Sequence, residues 1–457
     1  MKSAPPPATA PTGRAVVIGA SMAGLLAARA LSETFERVVV VDRDDLADPG
    51  PRKGVPQGHH THAILAKGRE VIEELFPGLT AELTGRGAVA FDLQGDSAWF
   101  NGTRPLRSAP SDLIALSLSR PALEGYIRGR VGDLPNVDIR GGYEATGLLA
   151  TPDARAVTGV TLLRSGRHEP EELAAELVVD ATGRGNRSGT WLTQLGYEPP
   201  TEDSINAGIA YATRQYRRRP LPSGATAFIN TLTPDLLVSA AMLPIEDDRM
   251  ILTMIGMGTD IPPIDPAGFD AFARRLPIGD LQDIIEHAEP ITEPRRFRIP
   301  ASVRRRYEKL RRLPEGYVAI GDALCAFNPV YGQGMTVAAL EAVALRDCLR
   351  ASRADLSRRY FEQAARIIDI PWDMSAGGDL ALPGVLGPRT VKTRILNAYL
   401  ARVLRAAETD ATVALAFHRA VNLITRPTTL FAPGILRRVL AAGKAPAADA
   451  AIRATVG

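Results

Sequence analysis

The most constraining stretch lies near the start of the chain, where Arg14-Ala-Val-Val-Ile-Gly-Ala-Ser-Met-Ala-Gly-Leu-Leu-Ala-Ala-Arg-Ala-Leu31 is followed by Arg37-Val-Val-Val-Val-Asp-Arg-Asp44. The β-branched runs read as strands buried on both faces, and the Ala/Leu-rich stretch between them reads as a helix. Gly19 permits the sharp turn from strand into helix, and Gly24 lets the helix lie close on the strand. The helix opens at Met22 and Ala23 with free backbone N–H groups, the usual seat for a pyrophosphate. Strand, glycine turn, helix and a second strand ending in acid together spell a dinucleotide-binding βαβ unit. Asp42 is placed to take ribose hydroxyls, with Arg43 beside it. Ser21 replaces the middle glycine of the usual pattern, small enough to admit a phosphate and able to add a hydroxyl donor.

Three later segments extend this reading. Gly316-Tyr-Val-Ala-Ile-Gly-Asp-Ala323 is a strand ending in a Gly-Asp turn, followed by Asn328-Pro-Val-Tyr-Gly-Gln-Gly-Met-Thr-Val-Ala338, a loop that opens a helix. Glu176-Leu-Val-Val-Asp-Ala-Thr-Gly-Arg-Gly-Asn-Arg-Ser188 is a buried strand ending in a glycine-rich turn. Ser119-Arg-Pro-Ala-Leu-Glu124 starts a helix with proline at its favoured first position. In this order the segments resemble the FAD-dependent monooxygenases that include aromatic hydroxylases and squalene epoxidase. The resemblance implies that Gly321 and Asp322 meet the FAD ribityl chain. It also implies that Pro329, Gly332, Gln333, Gly334 and Met335 aim a helix N-terminus at the flavin pyrimidine edge, where it favours the negative charge of reduced flavin. It makes Arg120 a contact of the FAD phosphates or ribityl chain, with a solvated surface arginine as the alternative. Asp180 becomes a nucleotide-side residue, although Asp180-Ala-Thr-Gly183 departs from the Asp-Gly pair that touches a pyridine nucleotide in many hydroxylases.

The segment Arg52-Lys-Gly-Val-Pro-Gln-Gly-His-His-Thr-His62 carries three of the chain's six histidines. No metal site is expected, because Cys325 and Cys348 are distant and no carboxylate stands at ligand spacing. The resemblance instead makes Arg52 and Lys53 cofactor-side residues and Gln57 and His62 active-site candidates; a solvated basic loop is the alternative. No residue is singled out as catalytic.

Composition bounds the rest. The 457 residues carry a net charge of +3, too small a field for nucleic acid, and the Arg217–Arg219 and Arg304–Arg306 clusters read as solvated strand ends. Two cysteines fit a reducing cytoplasm, with Cys325 a small buried filler. No apolar run is long enough to be a transmembrane segment. Peripheral membrane contact through Phe417–Phe431 is set aside in favour of packing over the active-site mouth.

The expected fold is α/β: a Rossmann-like FAD-binding domain with an inserted antiparallel-sheet substrate domain and a helical C-terminal region. The divisions are a disordered tail (1–13), FAD-binding segments (14–90, 113–200 and 308–355), a substrate-side segment (91–112), a substrate-binding sheet domain (201–307) and a helical region (356–457). Strands are expected at 208–214, 227–230, 236–243 and 250–257, the last two joined by a Pro244–Arg249 loop, with Tyr211, Phe228, Met242 and Met254 facing the flavin or filling core. A helix is expected from Thr336 to about Leu349, and breaks at Pro371-Trp-Asp373 and Gly384–Pro388.

Asn328–Ala338 and Arg52–Gln57 resemble in particular the bacterial flavin epoxidases of polyether antibiotic pathways. The implied activity is insertion of one oxygen atom from O2 into an apolar natural-product intermediate, as alkene epoxidation through a flavin hydroperoxide. Electrons would come from NAD(P)H, directly or through a separate flavin reductase. Aromatic hydroxylation and FAD-dependent prenyl reduction are the alternatives. A halogenase is disfavoured because Trp99, Trp191 and Trp372 are scattered, and a flavin-free lipid-binding escort because Gly19, Gly24, Asp42 and Asp322 all stand.

Overall fold

The computed structural model describes residues 12–47, 50–299 and 301–442, so the expected disordered tail lies outside the described residues except for Thr12 and Gly13. Arg14–Ile18 is the middle strand of a five-stranded parallel sheet. The order across the sheet is Tyr317–Ala319, Leu177–Asp180, Arg14–Ile18, Arg37–Asp42 and Val137–Gly141. Val16 pairs with Val39 on one side and Val178 on the other. Ala15 to Val17 and Val38 to Val41 are fully buried, which is why these strands read as unbroken apolar runs. The chain leaves the middle strand toward one edge and later returns on its other side. This reversal opens a crevice at the carboxyl ends of the strands, where doubly wound sheets bind ligands. Helices Met22–Leu31 and Gly334–Ala351 pack together beside it.

A seven-stranded sheet covers the far side of the crevice, in the order Arg295–Ile299, Ile209–Arg217, Arg249–Met257, Val238–Ile245, Ala227–Thr231, Ser97–Asn101 and Arg104–Pro105. It is antiparallel except where Ala227–Thr231 runs parallel to Ser97–Asn101. Strand parity divides the four residues expected on the flavin face. Tyr211 pairs with Phe297 and Ile255, whereas Ala212 pairs with Met254 on the opposite face. Phe228, Met242 and Met254 therefore turn away from the crevice, into a core with Phe269, Phe272 and Leu281. That core is closed by helices Pro266–Ala273 and Gly279–His287, which the extended pattern expected for this region did not include.

Two further expectations are corrected. Pro244 belongs to a strand, opposite Met250, and the hairpin connection shortens to Glu246–Asp248, with Asp247 and Asp248 at φ 59° and 54°. Pro371 does not break the chain: helix Leu356–Ala381 runs through it. Tyr360, Phe361, Ala364, Ile368 and Trp372 form one buried stripe on both sides of the proline. Their packing offsets the roughly 3 kcal/mol that an interior proline costs a helix. A non-helical segment from Leu382 to Thr390 does separate this helix from Val391–Ala407, which is followed by Ala411–Val421 and Pro433–Ala442. Among the described residues no helix is long and apolar enough to cross a membrane.

Candidate functional site

At the first turn Gly19 has φ +107°, and a Cβ there would lie 2.5 Å from the Ala181 carbonyl oxygen. A Cβ on Gly24 would lie 1.8 Å from the Gly19 carbonyl oxygen, so Gly24 sits behind the turn and allows it without facing a ligand. Ser21 caps helix Met22–Leu31 without a side-chain bond to it. Its hydroxyl instead donates to Glu124 Oε2 at 2.7 Å and accepts from Arg120 at 2.9 Å. Arg120 is buried, which excludes the solvated-surface alternative.

Asp42 is not a free acceptor. It takes the Ala20 N–H at 2.7 Å, and Arg52 lies 3.1 Å from it, 3.5 Å from Asp44 and 2.6 Å from Glu124. Asp42 and Arg52, expected as separate cofactor contacts, form one ion-paired cluster floored by Glu124. Burial pulls the Arg52 guanidinium down, but the Glu124 and Asp42 charges outweigh it and leave it above its ordinary value.

The later motifs close onto this end. A Cβ on Gly321, at φ +64°, would fall 2.6 Å from the Ala23 Cβ, so the Gly-Asp turn abuts the first helix. Asp322 faces the cleft, 3.5 Å from Arg184 Nε. Burial pushes its carboxyl up, against the Arg184, Arg120 and Arg305 charges. Pro329, Gly332, Gly334 and Met335 line the same cleft, and a Cβ on Gly334 would meet nothing within 4 Å. Helix Gly334–Ala351 begins without a side-chain cap.

Two expected contacts do not reach the cleft. Gln333 is buried outside the cleft lining and donates to the Val421 carbonyl at 2.9 Å. Asp180 is fully buried, taking the Thr182 N–H and hydroxyl at 2.9 and 2.6 Å, the Tyr317 hydroxyl at 3.1 Å and the Ser188 hydroxyl. It shapes the turn before Gly183 and does not line the cleft.

The result is one cleft of about 560 Å³. Ser21, Met22, Ala23, Asp42, Arg52 and Arg120 line one end, with Arg43 and Lys53 at the rim; Tyr211, Phe297 and Phe327 line the other. The charged groups with the uncapped N-terminus of helix Met22–Leu31, and the aromatic walls, fit the phosphates and flat ring of FAD. Cys325 is buried outside the lining.

Gln57, His60 and His62 also line the cleft. The His60 Nδ1 contacts Thr213 Oγ1 at 2.7 Å, and the Thr213 and Thr253 hydroxyls are 2.7 Å apart. The His62 Nδ1 lies 2.8 Å from the His60 carbonyl oxygen. A carbonyl only accepts, so Nδ1 carries the proton and Nε2 is left as an acceptor. Burial presses His60 down to about 4; burial and the Arg120 charge press His62 down to about 3. Both are neutral near pH 7. Among the described residues no group of three His, Cys, Asp or Glu could hold a metal ion.

Sequence reasoning missed Glu124, Arg184 and Glu341. Glu124 and Arg120 stand one helical turn apart, a spacing visible in the sequence, and Arg184 sits in the Gly183–Gly185 turn. Glu341 gave no sequence signal. It is fully buried and takes the Gly321 N–H at 2.7 Å, while its other oxygen has no partner. Burial pushes its carboxyl up to about 8, outweighing the Gly321 hydrogen bond. The folded state therefore binds a proton that the unfolded chain releases near its ordinary pKa. Stability should fall as pH rises from about 5 to 8, by a few kcal/mol. The variant Glu341→Gln should lack this loss, checked by comparing apoprotein melting temperatures at about pH 5.5 and 8.

The fold is similar to that of solved flavin-dependent halogenases and monooxygenases. A triple mutant of the flavin-dependent brominase Bmp2 matches with TM-score 0.66 and 15% identity over 93% of this chain and 99% of its own. PqsL, a probable FAD-dependent monooxygenase from Pseudomonas aeruginosa, matches with TM-score 0.57 and 18% identity over 89% and 99%. The chain belongs to the same family as Protein Rv3254 of Mycobacterium tuberculosis, to which it is 35% identical over 91% of its own length and 90% of that protein's. No family model matches the chain.

Proposed function

We propose that the protein is an FAD-dependent monooxygenase that inserts one oxygen atom of O2 into an apolar small molecule, with epoxidation of a natural-product alkene as its reaction. The observation that carries this reading is the single cleft joining the Ser21–Arg52–Arg120 end to the Tyr211–Phe297 end through the Gly321–Asp322 turn. FAD, when bound, supplies the acceptance of electrons from NAD(P)H and the activation of O2. The protein's part is placement. Arg120 and the N-terminus of helix Met22–Leu31 hold the phosphates, and Asp322 takes the ribityl hydroxyls. The N-terminus of helix Gly334–Ala351 stabilises negative charge at the ring edge. Tyr211, Phe297 and Phe327 exclude water and orient an apolar substrate.

Hydroxylation of a phenol gains from a base poised near the working pH. His62 Nε2 is an acceptor in the cleft, the feature that favours this second reading, but its depressed pKa makes it a weak base. His60, His62 and Tyr211 all keep their charge state across the neutral range, the phenol being pushed well up by burial. These three groups should therefore add little pH dependence to oxygen transfer between about pH 6.5 and 8.5.

The test is turnover of FAD-loaded protein with NADH or NADPH and labelled dioxygen, offered polyenes and phenols. Labelled epoxide is expected, at a rate without a steep pH dependence. Ring-hydroxylated product with a steep pH dependence would move the assignment to an aromatic hydroxylase, and failure to incorporate label into any substrate would overturn the monooxygenase reading.

A further inference from the structure

Helix Leu356–Ala381 ends against the loop that opens helix Gly334–Ala351. One oxygen of Asp379 accepts both the Asn328 side-chain amide at 2.8 Å and the Tyr331 hydroxyl at 3.0 Å. Asn328 in turn accepts the Val330 N–H at 3.1 Å, which fixes the loop's turn. Gly378 packs so tightly that a Cβ there would lie 2.3 Å from the Tyr331 hydroxyl oxygen. Asp379 is 1% exposed, and its second oxygen is buried without a hydrogen-bond partner. Tyr211, on the substrate wall of the cleft, has a buried hydroxyl that also lacks one. The Asp379 charge acts on the Tyr211 phenol, helping burial to push it up.

Resting on the FAD-binding reading above, we propose that Asp379 is a positioning residue that holds the Asn328–Gly334 loop in its cofactor-facing shape. Nothing in the βαβ unit or the Gly-Asp turn would do this. The loop follows the Gly-Asp turn after the short strand Cys325–Ala326, yet a carboxylate from the C-terminal helical region accepts its Asn328 amide and Tyr331 hydroxyl. Burial raises the Asp379 carboxyl to about 6, against the Asn328 and Tyr331 hydrogen bonds. The titratable groups facing it are Tyr331 from the loop and Tyr211 from the sheet, both phenols pushed up by burial and neutral throughout, with the Arg184 charge acting on Tyr211. Protonation changes the acceptor that clamps the loop, so the loop's hold on a bound ring should change near that pH.

The experiment uses full-length protein reconstituted with FAD, and reads flavin circular dichroism from about pH 5 to 7.5 together with FAD affinity. Wild-type protein should show a transition with a midpoint near 6. The isostere Asp379→Asn keeps an acceptor for Asn328 and Tyr331 but cannot titrate, so it should retain FAD and lose the transition. Asp379→Ala loses the clamp and should bind FAD at least about tenfold more weakly while its far-ultraviolet dichroism still shows a folded chain. Tyr331→Phe should shift the midpoint upward, because one donor to the charged form is gone. A transition that survives unchanged in Asp379→Asn, or wild-type affinity in a folded Asp379→Ala, overturns this inference alone. Wild-type protein that takes up no FAD overturns it together with the proposed function.

Discussion

Exchanging Arg52 for methionine is expected to strip the protein of FAD and to lower its stability by about 3 kcal/mol near neutral pH, the toll of removing one member of a buried ion pair. The Arg52 side chain is only 5% exposed and lies within 3.5 Å of Asp42, Asp44 and Glu124. Without it, three carboxylates face one another with Arg120 and Arg128 as the remaining cations near Glu124. Their repulsion pries at the turn that carries Ala20 and Ser21, because Asp42 holds the Ala20 N–H and Glu124 holds the Ser21 hydroxyl. Protonation relieves such repulsion, so the deficit should shrink as pH falls into the carboxylate range. Lysine is a poor substitute, since a single ammonium lacks the planar fork that bridges Asp42 and Glu124 together. Melting curves of wild type and Arg52→Met at about pH 5 and 7.5, with flavin retention on desalting, read both effects. A variant that keeps wild-type melting and full flavin content would show that the cluster organises neither the turn nor the nucleotide end.

What could be read from the sequence was local. Gly19, Gly24 and the valine runs announce strand, turn and helix within one stretch, because backbone conformation at a turn and burial on both faces leave marks on neighbouring residues. The Gly321–Asp322 turn and the helix opening at Gly334 are of the same kind. What escaped depends on parity and on distance. Whether Tyr211 or Met254 faces the cleft is decided by register, as one step along a strand reverses the side chain. Asp42, Arg52 and Glu124 come from three separate segments, so nothing local shows that two expected ligand contacts neutralise each other. Gln333 and Asp180 sit inside recognisable motifs yet turn inward, because a tight turn needs internal acceptors and donors as well as ligand contacts. Some signals were present and unread. Asp265-Pro266 is a capped helix start, the Asp265 carboxylate accepting the Gly268 N–H at 2.7 Å. Phe269, Phe272 and Ala273 follow it at helical spacing, all buried.

Gly334→Val is expected to leave the fold intact and to abolish productive oxygen transfer, the reverse of what valine would do at Gly24. The two glycines serve opposite purposes. At Gly24 a Cβ collides with the Gly19 carbonyl oxygen at 1.8 Å, so any side chain displaces the first helix and the folded unit fails. At Gly334 a Cβ meets no protein atom within 4 Å, so valine adds bulk to a wall of the cleft without disturbing a packed neighbour. Valine is a better helix former than glycine, so the exchange carries no propensity cost, and the helix gains its stability from Val337, Ala338 and Leu345, which are buried. Its branches would instead occupy space beside the uncapped N–H groups of this helix, where the proposed flavin edge rests. A displacement of about 1 Å at a reacting centre can lower a rate by roughly a hundredfold even when binding survives. The melting temperature of the apoprotein should therefore match wild type within about 2 °C. NAD(P)H-driven oxygen consumption should be uncoupled from product, and FAD affinity should fall at least about tenfold. Normal coupling together with normal affinity would show that the ring does not rest against this loop, and would move the oxygen-transfer site elsewhere in the cleft.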